Sequence, residues 1–148
     1  MKSILHRTAG SVAIVLIAAF WVSTVGSELS GEKIWITQVK VLIPWGFVIL
    51  LPALAATAGS GIALARGRSG GLLSKKQKRM PVIALNGLAI LVPSAFFLAA
   101  KAREGEFDVI FYVVQALELF AGAVNIWLLG LNMRDGFKMT AGRRRVTL

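Results

Sequence analysis

Cysteine is absent from this chain of 148 residues, and acidic residues are scarce. Without cysteine the chain can form no disulfide, no thiolate nucleophile, no cysteine-ligated zinc site and no cysteine-held iron–sulfur cluster. Only 7 aspartate and glutamate residues accompany 17 lysines and arginines, which gives a formal net charge of +10. Hydrophobic residues make up 56% of the chain, and the mean hydropathy is +0.71. A soluble domain of this length could not bury so much apolar side chain, so we expect an integral membrane protein.

Four segments are long and apolar enough to cross a bilayer core of about 30 Å as helices. They run over about 8–25, 41–65, 81–100 and 109–133, and the one charged side chain within them is Glu118. The stretches between them are too short to bury a core of their own. The sequence therefore predicts an all-α membrane protein, a single bundle of four transmembrane helices over residues 1–148 without a soluble domain.

Basic residues are concentrated at one end of the predicted bundle. The loop 66–80 and the tail 134–148 are rich in lysine and arginine, whereas the other two loops hold five of the seven acidic residues. Since basic loops stay on the cytoplasmic side, we expect both termini and the loop 66–80 in the cytoplasm, with the protein in a bacterial inner membrane. The basic surface would then lie against anionic lipid headgroups, and nucleic-acid binding is not indicated.

Small residues and prolines within the spans predict how the helices pack. Ala55, Gly59 and Ala63 recur at four-residue intervals, the spacing of a ridge on which a second helix packs closely. A flat ligand such as a quinone or a porphyrin could use the same surface. Pro52 and Pro93 each remove a backbone hydrogen bond and predict a kink. Two kinks at similar depth either open a pocket or are ordinary membrane-helix prolines.

The fourth span carries a stripe of polar residues. Gln115, Glu118, Asn125 and Asn132 are spaced so that they share one helical face. An acidic group near the middle of the bilayer costs roughly 2.5–3.5 kcal/mol, so we expect Glu118 to point into the bundle. Three interpretations stay open: a hydrogen-bonded cluster that fixes helix register, a proton-handling or ligand-binding site, and a dimer contact.

The N-terminus holds a short motif, Ser-Ile-Leu-His-Arg-Thr-Ala-Gly, over residues 3–10. It resembles the entry to the first helix in the cytochrome b membrane-anchor subunit of succinate dehydrogenase. The resemblance implies that Ser3 and Arg7 help to bind ubiquinone and that His6 lies close to the quinone and the haem propionates. Ala9 departs from the family's serine or threonine, and the chain has no second histidine for an axial haem ligand. From the residues alone, the same segment is a lipid-headgroup anchor.

These observations predict a small non-enzymatic membrane protein, an accessory or anchor subunit of a membrane complex, with a membrane-protein partner or a second copy of itself. A non-enzymatic role is favoured because no catalytic constellation and no set of metal ligands is apparent. Two alternatives stay open. The first is a redox-associated subunit that binds a quinone or haem b through Ser3, His6 and Arg7. The second is an oligomeric transporter or proton-coupled channel that uses Glu118.

Overall fold

The protein is seen here in a computed structural model, which describes residues 2–65 and 71–146. Almost all of these residues are helical. The helices are α1 (Lys2–Ser30), α2 (Lys33–Ala65), α3 (Gly71–Asn86), α4 (Val92–Glu104) and α5 (Val109–Val146). A π-helical segment, Gly87–Leu91, joins α3 to α4. These three pieces follow one another without interruption, and together they form the third long helix.

Within residues 2–65 and 71–146, four helices are long and apolar enough to cross a membrane, which confirms the predicted all-α architecture at this level. The candidate spans are Ser3–Ser30, Lys33–Leu64, Lys78–Glu104 and Val109–Lys138. Large apolar side chains cover much of the outer surface, and Trp45 and Phe120 are 68% and 71% exposed. So extensive an exposed apolar surface is expected where lipid, rather than water, surrounds a protein.

The helices extend beyond the apolar stretches that the sequence marks. α2 begins at Lys33 rather than near residue 41, and α3 begins at Gly71, inside the predicted loop 66–80. Residues 66–70 of that loop lie outside the described residues. The predicted tail 134–148 is helical as far as Val146, and its last two residues also lie outside. Lysine, arginine and glutamine are good helix formers, so a charge does not end a helix.

Two short connections close one end of the bundle, which we call the hairpin end. Gly31 and Gly105 have φ angles of 69° and 72°, a left-handed conformation that favours glycine. α5 begins after Asp108, whose carboxylate accepts hydrogen bonds from the Phe111 backbone N–H at 2.8 Å and from Lys101 Nζ at 2.7 Å. The opposite end of the bundle, where α1 begins and α5 finishes, is the terminal end.

Among the described residues, the buried apolar side chains form two clusters. The larger cluster lies between α1, α2 and α4 and consists of Ala13, Ile17, Ile43, Phe47, Leu50 and Ala95. The smaller cluster ties α2, α4 and α5 together near the hairpin end and consists of Ile36, Leu98, Ala102 and Phe111. Gly46 allows a close approach of α1, because a Cβ atom at this position would lie only 2.2 Å from Phe20 Cζ.

Of the two prolines predicted to kink helices, Pro93 coincides with a change of helix type. The π-helical segment directly precedes it, and the Val92 backbone N–H bonds to the Gly87 carbonyl five residues back. A proline lacks a backbone N–H, and its ring clashes with the carbonyl four residues earlier. The wider π turn removes that clash. α2, by contrast, continues as one α-helix through both Pro44 and Pro52.

Candidate functional site

One face of α5 carries five of the eleven buried polar or charged residues in the part of the chain that the structure describes. The structure buries the whole predicted stripe and adds one residue to it. Its members, each at most 9% exposed, are Gln115, Glu118, Asn125, Asn132 and Asp135. At three levels along α5 a polar side chain of another helix meets the stripe: near the hairpin end, in the middle and near the terminal end. The stripe therefore holds α5 to its neighbours through polar contacts, in addition to apolar packing.

Near the hairpin end, Glu118 forms an ion pair with Lys40 of α2. Lys40 Nζ donates to Glu118 Oε2 at 2.5 Å, and the two side chains are 0% and 11% exposed. Gln115 Nε2 donates to the same carboxylate oxygen at 3.3 Å. Glu118 thus points into the bundle. Removing one partner of such a buried pair leaves an uncompensated charge, so this contact fixes α2 against α5.

Glu28 of α1 is a third charged residue beside this pair. It interacts electrostatically with both Lys40 and Glu118, yet the direct contact of Lys40 goes to Glu118. Glu28 Oε1 is buried and receives no hydrogen bond from the described residues, and the same holds for Gln115 Oε1. We call Glu28, Lys40, Glu118 and Gln115 the charged cluster. It combines two carboxyl groups with one ammonium group and leaves two buried acceptor oxygens unsatisfied.

Side chains of α3 meet the other two levels of the stripe. In the middle of the bundle, Asn86 Nδ2 donates to Asn125 Oδ1 at 2.9 Å. Near the terminal end, Arg79 Nη1 donates to Asp135 Oδ2 at 2.7 Å and lies 3.5 Å from Asn132 Oδ1. These contacts fix the register between α3 and α5, because a shift of one turn would separate both pairs at once.

A cavity of about 410 Å³ lies between the helices beside the polar stripe. We call it the crevice. Its lining is almost wholly apolar, and the exceptions are Thr24, Glu118, Asn125 and the indole of Trp21. Glu118 therefore belongs both to the charged cluster and to the crevice wall. Pockets of this size, with apolar walls and a few polar groups, are typical sites for small molecules.

The crevice opens sideways between α2 and α3. Leu51 of α2 and Leu88 of the π-helical segment line it, and they are 38% and 61% exposed. Among the described residues, α2 packs against α1 and α4 but makes no comparable contact with α3. The gap therefore lies on the terminal side of the π-helical segment, and it faces the apolar outer surface. The crevice is therefore open on the surface that large apolar side chains cover.

The three residues predicted to bind a cofactor lie at the start of α1, and none of them lines the crevice. Ser3 and Arg7 are exposed, whereas His6 is half-buried. His6 Nδ1 lies 3.0 Å from the Thr57 carbonyl oxygen and 3.2 Å from Ser60 Oγ. The imidazole therefore joins α1 to α2 at the terminal end of the bundle.

The small residues of α2 that were predicted to form a packing ridge are not used for close packing within the described chain. Ala55 and Gly59 are exposed, and a Cβ atom on Gly59 would meet nothing within 4 Å. Ala63 is half-buried. The close contact with α1 lies on the next face, where a Cβ atom on Gly61 would be 3.2 Å from His6 Cε1. Ala55 lines the crevice, and the packing ridge stays a prediction.

Several charged residues of these contacts were not predicted as site residues. They are Glu28, Lys40, Arg79 and Asp135. Lys40 directly precedes the predicted second span, 41–65, and so falls in a predicted loop. Its spacing gave a usable signal, since Ile36, Lys40 and Ile43 recur at the intervals of one buried helical face. Likewise Asp135 follows Asn132 by three residues and continues the stripe.

No group of three or more histidine, aspartate or glutamate side chains is placed to hold a metal ion in the part of the chain that the structure describes. Comparisons of this chain with protein-family models, with curated proteins and with solved structures found no match. The N-terminal resemblance, the accessory role and the two alternative functions therefore stay predictions. The structure adds three observations to these predictions: the crevice, the charged cluster that shares Glu118 with its wall, and the polar contacts along α5.

Proposed function

We propose that this protein is a membrane-embedded binding protein for a lipophilic ligand with a polar head, of the quinone type. One observation carries the proposal: the apolar crevice opens toward the lipid-facing surface and presents Glu118 and Asn125 in its wall. A quinone combines a flat apolar ring, two carbonyl acceptors and an apolar tail. The crevice supplies apolar surface for the ring, polar groups for the carbonyls and a lateral exit for the tail.

Asn125 is the best donor for a quinone carbonyl. Its Nδ2 lies 3.5 Å from the Ile83 carbonyl oxygen, a long and weak hydrogen bond. A ligand carbonyl in the crevice can replace that acceptor at a shorter distance. Trp21 offers its ring face rather than a donor, because its Nε1–H already bonds to the Leu119 carbonyl at 2.9 Å. The expected pose therefore has the ring beside Trp21 and one carbonyl at Asn125.

The same geometry favours a quinone over haem b. Axial haem ligands in proteins are mainly histidine, methionine, cysteine or tyrosine. His6 is the only histidine of the chain, and it does not line the crevice. Met80 lines the crevice but would be a lone methionine ligand there. The quinone proposal rests on the crevice, and the N-terminal resemblance carries no part of it.

We further propose that the chain lies in a bacterial inner membrane with the terminal end in the cytoplasm. The excess of lysine and arginine in 66–80 and 134–148 supports this orientation, and anionic lipid headgroups would neutralise that surface. In this setting the protein serves as an accessory subunit that holds or passes a quinone, without catalysing a reaction of its own.

Ligand binding can be tested by titrating the purified protein with a short-chain ubiquinone analogue in detergent and following tryptophan fluorescence. Trp21 lines the crevice, so bound quinone should quench its emission with a saturable dependence on concentration. In the variant Ala58→Phe a phenyl ring enters the crevice from α2, and saturable quenching should be lost.

The matched control is Ala123→Phe, since Ala123 is exposed on α5 and does not line the crevice. This variant should bind like the parent protein. Equal quenching in the parent, Ala58→Phe and Ala123→Phe would mean that the quinone partitions into detergent and not into the crevice, and the proposed function would then be wrong. A Soret band in the purified protein would instead favour the haem alternative.

A further inference from the structure

We propose that ligand binding in the crevice is linked to the uptake of one proton by the charged cluster, with Glu28 as the carboxyl group that accepts it. This inference rests on the proposed function and adds a partner to it, the proton. No electron transfer is involved. A proton from water at the hairpin end adds to the Glu28 carboxylate to form a carboxylic acid, and it leaves again when the ligand departs.

The charges of the cluster do not balance. Glu28 and Glu118 provide two negative charges when ionised, and Lys40, the positive charge of the cluster, interacts with both. Lys40 Nζ donates its hydrogen bond to Glu118 Oε2 at 2.5 Å. Glu28 keeps a buried oxygen to which no described group donates. A buried charge without hydrogen-bond donors is costly in free energy. Glu28 is therefore the member of the cluster whose ionised form is stabilised least by its neighbours.

Glu28 also has a path to water, which a proton acceptor needs. It lies two residues before the C-terminal residue of α1, at the hairpin end, and its side chain is only partly buried. Helical side chains lean toward the N-terminus of their helix, so that of Glu28 leans from the hairpin end into the bundle. Glu28 therefore stands between the solvent-facing end and the buried pair of Lys40 and Glu118.

Glu118 connects the cluster to the ligand, because it is the one member of the cluster that lines the crevice. An apolar ring placed against Glu118 makes the surroundings of the cluster less polar. The net negative charge of the ionised cluster then becomes more costly, whereas the neutral state, with Glu28 protonated, is not penalised. Binding therefore favours protonation and, by linkage, protonation favours binding. Affinity for the ligand should rise as the pH falls.

The test is isothermal titration calorimetry of the intact protein with a short-chain ubiquinone analogue, in buffers of different ionisation enthalpy. Measurements at about pH 5, 7 and 9 cover the range over which buried carboxyl groups in proteins take up and release protons. In the parent the observed enthalpy should depend on the buffer at one or more of these pH values, with a slope approaching one proton per ligand. In Glu28→Gln, which does not alter a crevice residue, the slope should fall to zero while binding persists.

The matched control is Glu32→Gln, because Glu32 is an exposed carboxyl group near the same end of the bundle. It should keep the parental slope. Binding without proton uptake at every pH, or an unchanged slope in Glu28→Gln, would overturn the inference and leave the proposed function standing. Absence of binding at every pH would overturn both.

A second measurement covers the case in which Glu28→Gln does not fold. The infrared difference spectrum of the parent, recorded with and without ligand, should gain the C=O band of a protonated carboxyl group. That band should shift on exchange into deuterated water, as an exchangeable carboxyl proton requires. If the parent protein shows no such band at a saturating concentration of ligand, the inference is wrong. This result does not depend on the folding of any variant.

Discussion

Replacement of Lys40 by methionine should destabilise the protein strongly, although methionine matches the length of the lysine side chain. Lys40 is completely enclosed, and Glu118 is 11% exposed, so Lys40→Met leaves a buried carboxylate without its counter-charge. Breaking a buried ion pair by removing one partner costs about 3–5 kcal/mol. For a chain of this length each kcal/mol lowers Tm by about 2–4 °C, so a fall of about 10 °C is expected.

The double variant Lys40→Met/Glu118→Leu should recover most of that loss. Replacing both members of a buried pair by apolar residues of similar volume is often neutral or stabilising. In this protein one penalty remains, because Gln115 Nε2 loses the acceptor that lies 3.3 Å away. An unsatisfied buried donor costs about 1–3 kcal/mol. The double variant should therefore fall between the parent and either single variant, with strongly non-additive effects.

The assay is thermal unfolding in detergent, followed by circular dichroism, for the parent, both single variants and the double variant. Lys75→Met is the control, since Lys75 is exposed on α3 and its loss should leave Tm almost unchanged. Glu118→Gln should also lower Tm, because it keeps the shape but leaves the Lys40 ammonium facing a neutral amide. Parental stability of Lys40→Met, or a double variant that loses the sum of the two single effects, would refute the ion-pair reasoning.

Three further predictions concern the terminal end, the hairpin end and the orientation. Arg79→Met should lower Tm more than Arg134→Met, because Arg79 bonds Asp135 at 2.7 Å whereas Arg134 is largely exposed and lies 3.5 Å away; equal effects would remove the α3–α5 contact from the account. The Lys101 hydrogen bond and the Phe111 N–H hold the pKa of Asp108 below its ordinary value, so its stabilisation should be present above about pH 4 and lost as the pH falls through the lowered pKa. Asp108→Asn should flatten that acid dependence of Tm, and an unaltered acid limb would contradict it. In intact cells an impermeant thiol reagent should label Glu104→Cys and not Ser74→Cys, and the reverse pattern would invert the proposed orientation.

The helical architecture could be predicted from hydropathy, but the helix boundaries could not. Apolar length indicates where the hydrocarbon of the bilayer begins and ends, and it identified all four candidate spans. It gives no information on how far a helix continues among lysines and arginines. Lys40 shows the consequence. Because the predicted second span begins at residue 41, Lys40 falls in a predicted loop, and its ion pair with Glu118 is not predicted.

The candidate site was predictable where it followed the periodicity of one helix. The spacing of Gln115, Glu118, Asn125 and Asn132 indicated a buried face, because one helix determines it without its neighbours. The partners Lys40, Asn86 and Arg79 lie on other helices, and helix spacing does not reveal which residues of two helices meet. The crevice could not be predicted from the sequence for the same reason. Its shape depends on where the third long helix separates from α2, near the π-helical segment.

Photolabelling with an azido-quinone, followed by mass spectrometry of the peptides, tests the central claim most directly. If the crevice holds a quinone-type ligand, the label should attach to residues on the two sides of its opening. These are Leu51 and Ala55 on α2, and Ala84 and Leu88 on the third long helix. An excess of unlabelled quinone should suppress this attachment. The account would be contradicted by labelling of the exposed residues Trp45, Phe120 or Trp127 that is as strong as labelling at the opening and that unlabelled quinone does not suppress.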